Sequence, residues 1–123
     1  MISAPYIERQ DINQAVLGKQ SKPVLGRLDI ELTERCNNNC LHCCINLPVD
    51  DLQAEKRELS SQEIKQILQE AVSLGCLIAR FTGGEPLLRD DFAELYTFAR
   101  RLGLKVLLFT NASLITPALS ELF

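Results

Sequence analysis

Apolar and polar residues alternate along Leu28-Asp29-Ile30-Glu31-Leu32-Thr33, the two-residue period of a strand with one buried face. The period changes after Ser60: Ile64, Ile67, Leu68, Ala71 and Leu74 recur at helical spacing and share one face. Ser60 and Glu63 make the Ser-x-x-Glu capping box that opens a helix, and Gly75 supplies its stop. Leu77-Ile78-Ala79-Arg80-Phe81-Thr82 reads as a short apolar strand running into the turn Gly83-Gly84-Glu85-Pro86. Asp90 or Asp91 can cap a second helix whose apolar face is Phe92, Leu95, Phe98, Ala99 and Leu102, closed by Gly103. Residues 104–109 are almost continuously apolar, the pattern of a strand buried on both faces. Thr110-Asn111-Ala112-Ser113 is a loop, and Thr116-Pro117 starts a third helix with proline in its favoured first turn.

Elsewhere the pattern is weak. Residues 1–26 read as an N-terminal arm, with a short helical patch over Ile12–Leu17 and breakers at Gly18, Pro23 and Gly26. Residues 46–58 read as a long, polar, solvated connection punctuated by Pro48 and the Asp50-Asp51 pair. The order from residue 27 is strand, helix, strand, helix, strand, start of helix. That predicts an α/β fold, a parallel sheet of βα units with right-handed crossovers, over residues 27–123. Ligands of such sheets collect at the carboxyl ends of the strands. The cysteine-bearing loop after the first strand, Gly83–Pro86 and Thr110–Ser113 all fall there, which predicts one shared site.

Composition narrows the classes. A chain of 123 residues suits one domain, and 46% apolar with 24% charged residues is ordinary for a globular protein. A net charge of −3 without a Lys/Arg cluster gives no footprint for nucleic acid. No apolar run approaches the roughly 20 residues of a membrane span. The first residues lack a basic start and an apolar segment, so a cytoplasmic protein is expected.

Cysteine changes the picture. Of five cysteines, Cys36, Cys40, Cys43 and Cys44 crowd into nine residues. A disulfide framework gains little from such short loops, so reduced thiols free to bind metal are expected. Thiolates suit zinc and iron–sulfur clusters alike. A four-iron cluster on three cysteines keeps one iron open, whereas a structural zinc site would take His42 or Cys44 as its fourth ligand. The Asn37-Asn38-Asn39 run suits a turning loop.

Cys36-x-x-x-Cys40-x-x-Cys43 after a first strand resembles the cluster motif of the radical S-adenosylmethionine (SAM) superfamily. Gly83-Gly84-Glu85-Pro86, which begins 40 residues after Cys43, resembles that superfamily's Gly-Gly-Glu-Pro motif. Leu32-Thr33-Glu34-Arg35-Cys36 and Phe81-Thr82-Gly83-Gly84-Glu85-Pro86-Leu87-Leu88-Arg89 are similar to its local phrases too. The resemblance covers roughly residues 27–116. It implies a [4Fe–4S] cluster on Cys36, Cys40 and Cys43, with the open iron binding the amino and carboxylate groups of SAM. Reductive cleavage would give methionine and a 5′-deoxyadenosyl radical that takes hydrogen from a substrate, by analogy a peptide or a cofactor precursor. Gly83 and Gly84 would let the backbone approach SAM, with Glu85 reinforcing that end directly or by holding the turn. His42 would stand near the adenine, and Asn111, in a stretch similar to the family's Thr-Asn-Gly, would line the SAM or substrate pocket. An electron donor such as ferredoxin or flavodoxin is implied as partner.

Plainer readings stand beside these. Gly83–Pro86 can be an ordinary strand-to-helix turn, His42 a solvated loop residue and Asn111 a turn residue. Cys44 departs from the family's aromatic residue and is expected to pack rather than ligate, and Cys76 to be a small buried hydrophobe. The family's core is a partial barrel of about six βα units, of which three are legible here. The expectation is therefore a truncated or split core, with a missing C-terminal half. A non-catalytic iron–sulfur electron-transfer module and a structural zinc domain are the alternative functions.

Overall fold

The first strand, β1 (Arg27–Glu31), pairs in parallel with β2 (Ile78–Thr82), which pairs in parallel with β3 (Lys105–Leu108). The computed structural model describes residues 24–123, so the Ile12–Leu17 patch and most of the arm lie outside the described residues. The sheet order is β1-β2-β3, with Ile30 opposite Phe81 and Phe81 opposite Leu108. This is the α/β arrangement of parallel βα units that the hydrophobic pattern predicts. Leu25 N–H donates to Leu74 O at 2.9 Å, tying the chain ahead of β1 to the end of the first long helix.

Four helices accompany the strands: α1 (Leu52–Arg57), α2 (Ser61–Ser73), α3 (Phe92–Arg101) and α4 (Pro117–Leu122), with one 3₁₀ turn over Pro86–Leu88. The Ser60/Glu63 capping box is formed on both sides, and Thr116 caps α4. Ile64, Leu68 and Ala71 of α2 and Phe92, Leu95, Tyr96 and Ala99 of α3 bury against Ile30, Leu32, Ala79 and Phe81 of the sheet. Phe81 and Phe92 meet edge to face with ring centroids 6.2 Å apart. The opposite sheet face carries the Arg80–Asp29 ion pair, with the Arg80 guanidinium 4.8 Å above the Phe109 ring. Among the described residues no helix is long and apolar enough to cross a membrane.

Four details differ from the sequence expectation. The 46–58 connection contains α1, capped by the Asp51 carboxylate on Gln53 N and Ala54 N at 2.9 Å. Only Ala54 of α1 is buried, so no apolar period marks the helix. Glu58 is not a solvated charge: its side chain is 12% exposed and paired with Arg35. Next, β3 is an edge strand with Lys105 exposed and residues 106–108 half-buried, because helices cover only one face of the sheet. Finally, Asp91 stands at the N-cap of α3 without a capping bond from its side chain. Arg89 Nε and Nη2 at 2.8 and 2.7 Å, and Ser61 Oγ at 2.5 Å, take that carboxylate instead. These bonds, the one from Arg89 foremost, hold the Asp91 carboxyl below the usual carboxylate range.

Candidate functional site

The site forms where the β1–β2 ladder runs on past both strands. Leu32 N–H donates to Thr82 O at 2.8 Å, Gly84 N–H to Thr33 O at 2.8 Å and Glu85 N–H to Arg35 O at 2.8 Å. The two backbones are so close that side chains have no room. A Cβ on Gly83, whose φ is +133°, would fall 2.3 Å from Thr33 O, and one on Gly84 would fall 2.2 Å from Arg35 O. Two glycines in succession are therefore what lets β2 dock onto the root of the cysteine loop. Among the described residues the carbonyl oxygens of Gly83 and Gly84 accept no hydrogen bond, leaving two acceptors at the strand end.

Glu85 is fully buried. Its carboxylate accepts from Leu87 N at 3.0 Å, Thr110 Oγ1 at 2.7 Å and Asn111 N at 2.8 Å. A buried carboxylate must be paired or hydrogen-bonded, and these three donors meet that need. Glu85 thus holds the turn and fastens the loop after β3 to the end of β2. That loop bends through Ala112 at φ 64°, a left-handed conformation that glycine adopts more readily.

The cysteine loop is closed at its base. Arg35 and Leu47 form an isolated parallel bridge, with Cys36 N–H to Leu47 O at 2.8 Å and Leu47 N–H to Glu34 O at 3.0 Å. Arg35 also donates to Glu58 Oε1 at 2.7 Å and to Val49 O at 3.1 Å, gripping the returning chain. The Glu58 carboxylate, which also accepts from Thr33 Oγ1, raises the pKa of the Arg35 guanidinium above its ordinary value. Beneath it the 7%-exposed Arg89 side chain donates to Leu32 O at 3.0 Å and Leu59 O at 2.9 Å. In the sequence Thr33, Arg35 and Arg89 stand only inside the local phrases similar to the family's and Glu58 only in a polar connection, and nothing there marks them as the supports of the loop.

Within the loop Cys36 is half-buried, while Cys40, His42, Cys43 and Cys44 are exposed. Cys44 therefore does not pack as expected, because the loop lies outside the core; Cys76 is buried, as expected of a small hydrophobe. The Cys36 sulfur faces Asn38 N at 3.4 Å and Asn111 Nδ2 at 3.9 Å. Asn37 accepts from Asn111 Nδ2 at 2.8 Å and donates to Ser113 Oγ at 2.8 Å, so its amide bridges the first and third loops. The structure thus links Cys36, Glu85 and Asn111 through contiguous bonds, and leaves Cys40, His42 and Cys43 on the outer part of the loop. Among the described residues no group of three or more His, Cys, Asp or Glu side chains is gathered around a metal-sized space. The donor set itself fits a thiophilic group: four thiols, three of them in the Cys-x-x-x-Cys-x-x-Cys spacing, on one loop with a closed base.

Comparison with known proteins follows the same residues. The family model described as Radical SAM superfamily matches residues 30–123. An Fe-coproporphyrin III synthase of Methanosarcina barkeri is 37% identical over 103 residues, covering 84% of this chain and 24% of that protein. A PqqA peptide cyclase of Bradyrhizobium diazoefficiens is 40% identical over 94 residues, covering 76% of this chain and 24% of that protein. Crystal structures of Streptococcus suis SuiB, bound to S-adenosylmethionine and to its precursor peptide SuiA, match at TM-scores of 0.65 and 0.66 with 26% and 25% identity. Both cover 83% of this chain and 21% and 22% of SuiB respectively. The chain spans about a quarter to a third of the length of the curated relatives it matches.

Proposed function

The chain belongs to the radical SAM superfamily, and from that membership we propose that it holds a [4Fe–4S] cluster on Cys36, Cys40 and Cys43 and binds SAM beside it. Residues 27–123 are then the first three βα units of the superfamily's partial barrel, with residues 1–26 as an arm ahead of them. When bound, the cluster supplies the electron that cleaves SAM into methionine and a 5′-deoxyadenosyl radical. One observation carries the reading: the loops after β1, β2 and β3 are fastened into a single surface by Glu85, Asn37 and Asn111.

The chain's own residues have distinct tasks. Cys36, Cys40 and Cys43 ligate, on a loop whose base is closed by Arg35, Glu34 and Leu47. Gly83 and Gly84 offer carbonyl oxygens to the ammonium group of SAM. Glu85 acts from below, by orienting the turn that presents them and the loop that carries Asn111. His42, exposed beside Cys43, would meet the adenine. Relatives named as a PqqA peptide cyclase and an Fe-coproporphyrin III synthase, and SuiB bound to its precursor peptide, support a peptide or cofactor precursor as substrate. A ferredoxin or flavodoxin class donor would supply the electron, in a cytoplasm that keeps the thiols reduced.

Metal analysis of the anaerobically reconstituted protein tests this reading. The expected content is about four irons and four sulfides per chain. One zinc and no sulfide would mean that the thiols build a structural site instead.

A further inference from the structure

Asn111 is held at its main-chain N–H and at both polar atoms of its side chain. Its main-chain N–H goes to Glu85 Oε2 at 2.8 Å, and its side-chain oxygen accepts from Ser113 N at 2.9 Å and Ser113 Oγ at 2.7 Å. The side-chain nitrogen is thereby turned toward the cysteine loop, where it donates to Asn37 Oδ1 at 2.8 Å and lies 3.9 Å from the Cys36 sulfur. An amide with its oxygen committed to Ser113 cannot flip to present an acceptor there without losing both bonds. The orientation is built in before anything binds. Asn38 N–H approaches the same sulfur at 3.4 Å, so Cys36 meets two N–H donors, one local and one from 75 residues away.

We propose that Asn111 is a positioning residue for the cluster, donating its amide N–H to the Cys36 sulfur and thereby raising the cluster's reduction potential. The proposal rests on the cluster reading above and goes beyond it by giving Asn111 a role toward iron and sulfur rather than toward SAM. Hydrogen bonds to cluster sulfurs are among the determinants of potential, because a donor stabilises the extra negative charge of the reduced state. The loop after β3, fixed by the buried Glu85, then sets how readily the cluster accepts its electron.

The test is a redox titration of the reconstituted full-length protein without SAM, followed by electron paramagnetic resonance. Asn111→Leu removes the donor and is expected to make reduction about tenfold less favourable, a downward shift of ~59 mV for one electron. Asn111→Asp keeps the shape and the bonds from Ser113, loses the side-chain N–H to Asn37 and to the sulfur and adds a negative charge, so its potential must fall further than that of Asn111→Leu. Asn46→Ala removes a side-chain bond within the same cysteine loop, that from Asn46 Nδ2 to Asn39 Oδ1 at 2.9 Å, without touching Asn111 or a donor to sulfur, and is expected to leave the potential in place. A cluster-bearing Asn111→Leu protein with the wild-type potential overturns the proposal while leaving the cluster reading intact. A wild-type protein with no [4Fe–4S] signal overturns both. Because SAM is absent, a residue that merely lines the SAM pocket would not move this readout.

Discussion

Alanine in place of Cys36, Cys40 or Cys43 is expected to abolish cluster binding, each substitution alone sufficing. A four-iron cluster on three thiolates has no spare protein ligand, so losing one leaves two attachments on an exposed loop. Altering residues that only support metal ligands already costs roughly 10–100-fold in affinity, and removing a ligand costs at least as much. Bound iron should therefore fall at least about tenfold in each variant, read by iron and sulfide assay after anaerobic reconstitution. Cys44→Ser supplies the contrast. Cys44 is exposed and adjacent to Cys43, so its replacement should leave iron content unchanged. Full iron in Cys40→Ala, or loss of iron in Cys44→Ser, would move the ligand set away from the three proposed thiols.

Gly84→Ala is expected to destabilise the fold by about 2–3 kcal/mol, the scale of overpacking in a closed site. The new methyl would sit 2.2 Å from Arg35 O and 2.9 Å from Glu34 O, both main-chain atoms that cannot swing aside. Relief requires the β2 end to separate from the cysteine-loop root, breaking Gly84 N–H to Thr33 O and Glu85 N–H to Arg35 O. The damage therefore reaches the cluster loop as well as the sheet. Gly26→Ala meets nothing within 4 Å and should fall within about 0.5 kcal/mol of the parent. Urea unfolding of the two variants separates them, and equal midpoints would mean that the close approach of the two backbones is not structural.

The elements that the sequence predicted well are those whose burial follows a period. Helix α2 has a capping box and an apolar stripe, and both strands β1 and β2 end within two residues of the expected positions. Helix α1 left no such trace, since it turns one alanine inward and is specified mainly by its Asp51 cap. Edge strand β3 misled in the other direction: apolar residues suggested two covered faces, whereas a single helical layer covers one. The site was legible in its motifs because cysteine and paired glycine are rare and carry their chemistry in their spacing. Its supports were not. Glu58 reaches Thr33 and Arg35 across 25 and 23 positions, and Arg89 reaches Leu32 across 57, separations at which a single sequence has no local signature. Asn37 was visible only as a turn former, and its bridge to Ser113 spans 76 positions.

Those supports explain how an exposed loop can be a defined site. The cysteines stand outside the hydrophobic core, yet the loop base is bonded to the turn after β2, to Val49 and to Glu58, and Cys36 is tied to the loop after β3. Order at the site comes from polar bonds at the strand ends.

The central claim is an iron with an open position beside Gly83 and Gly84. Electron paramagnetic resonance of the reduced, reconstituted protein with and without SAM addresses it most directly. The expected result is a reduced [4Fe–4S] signal whose g-values and line shape change when SAM is added. A cluster signal identical in the presence and absence of SAM would contradict it.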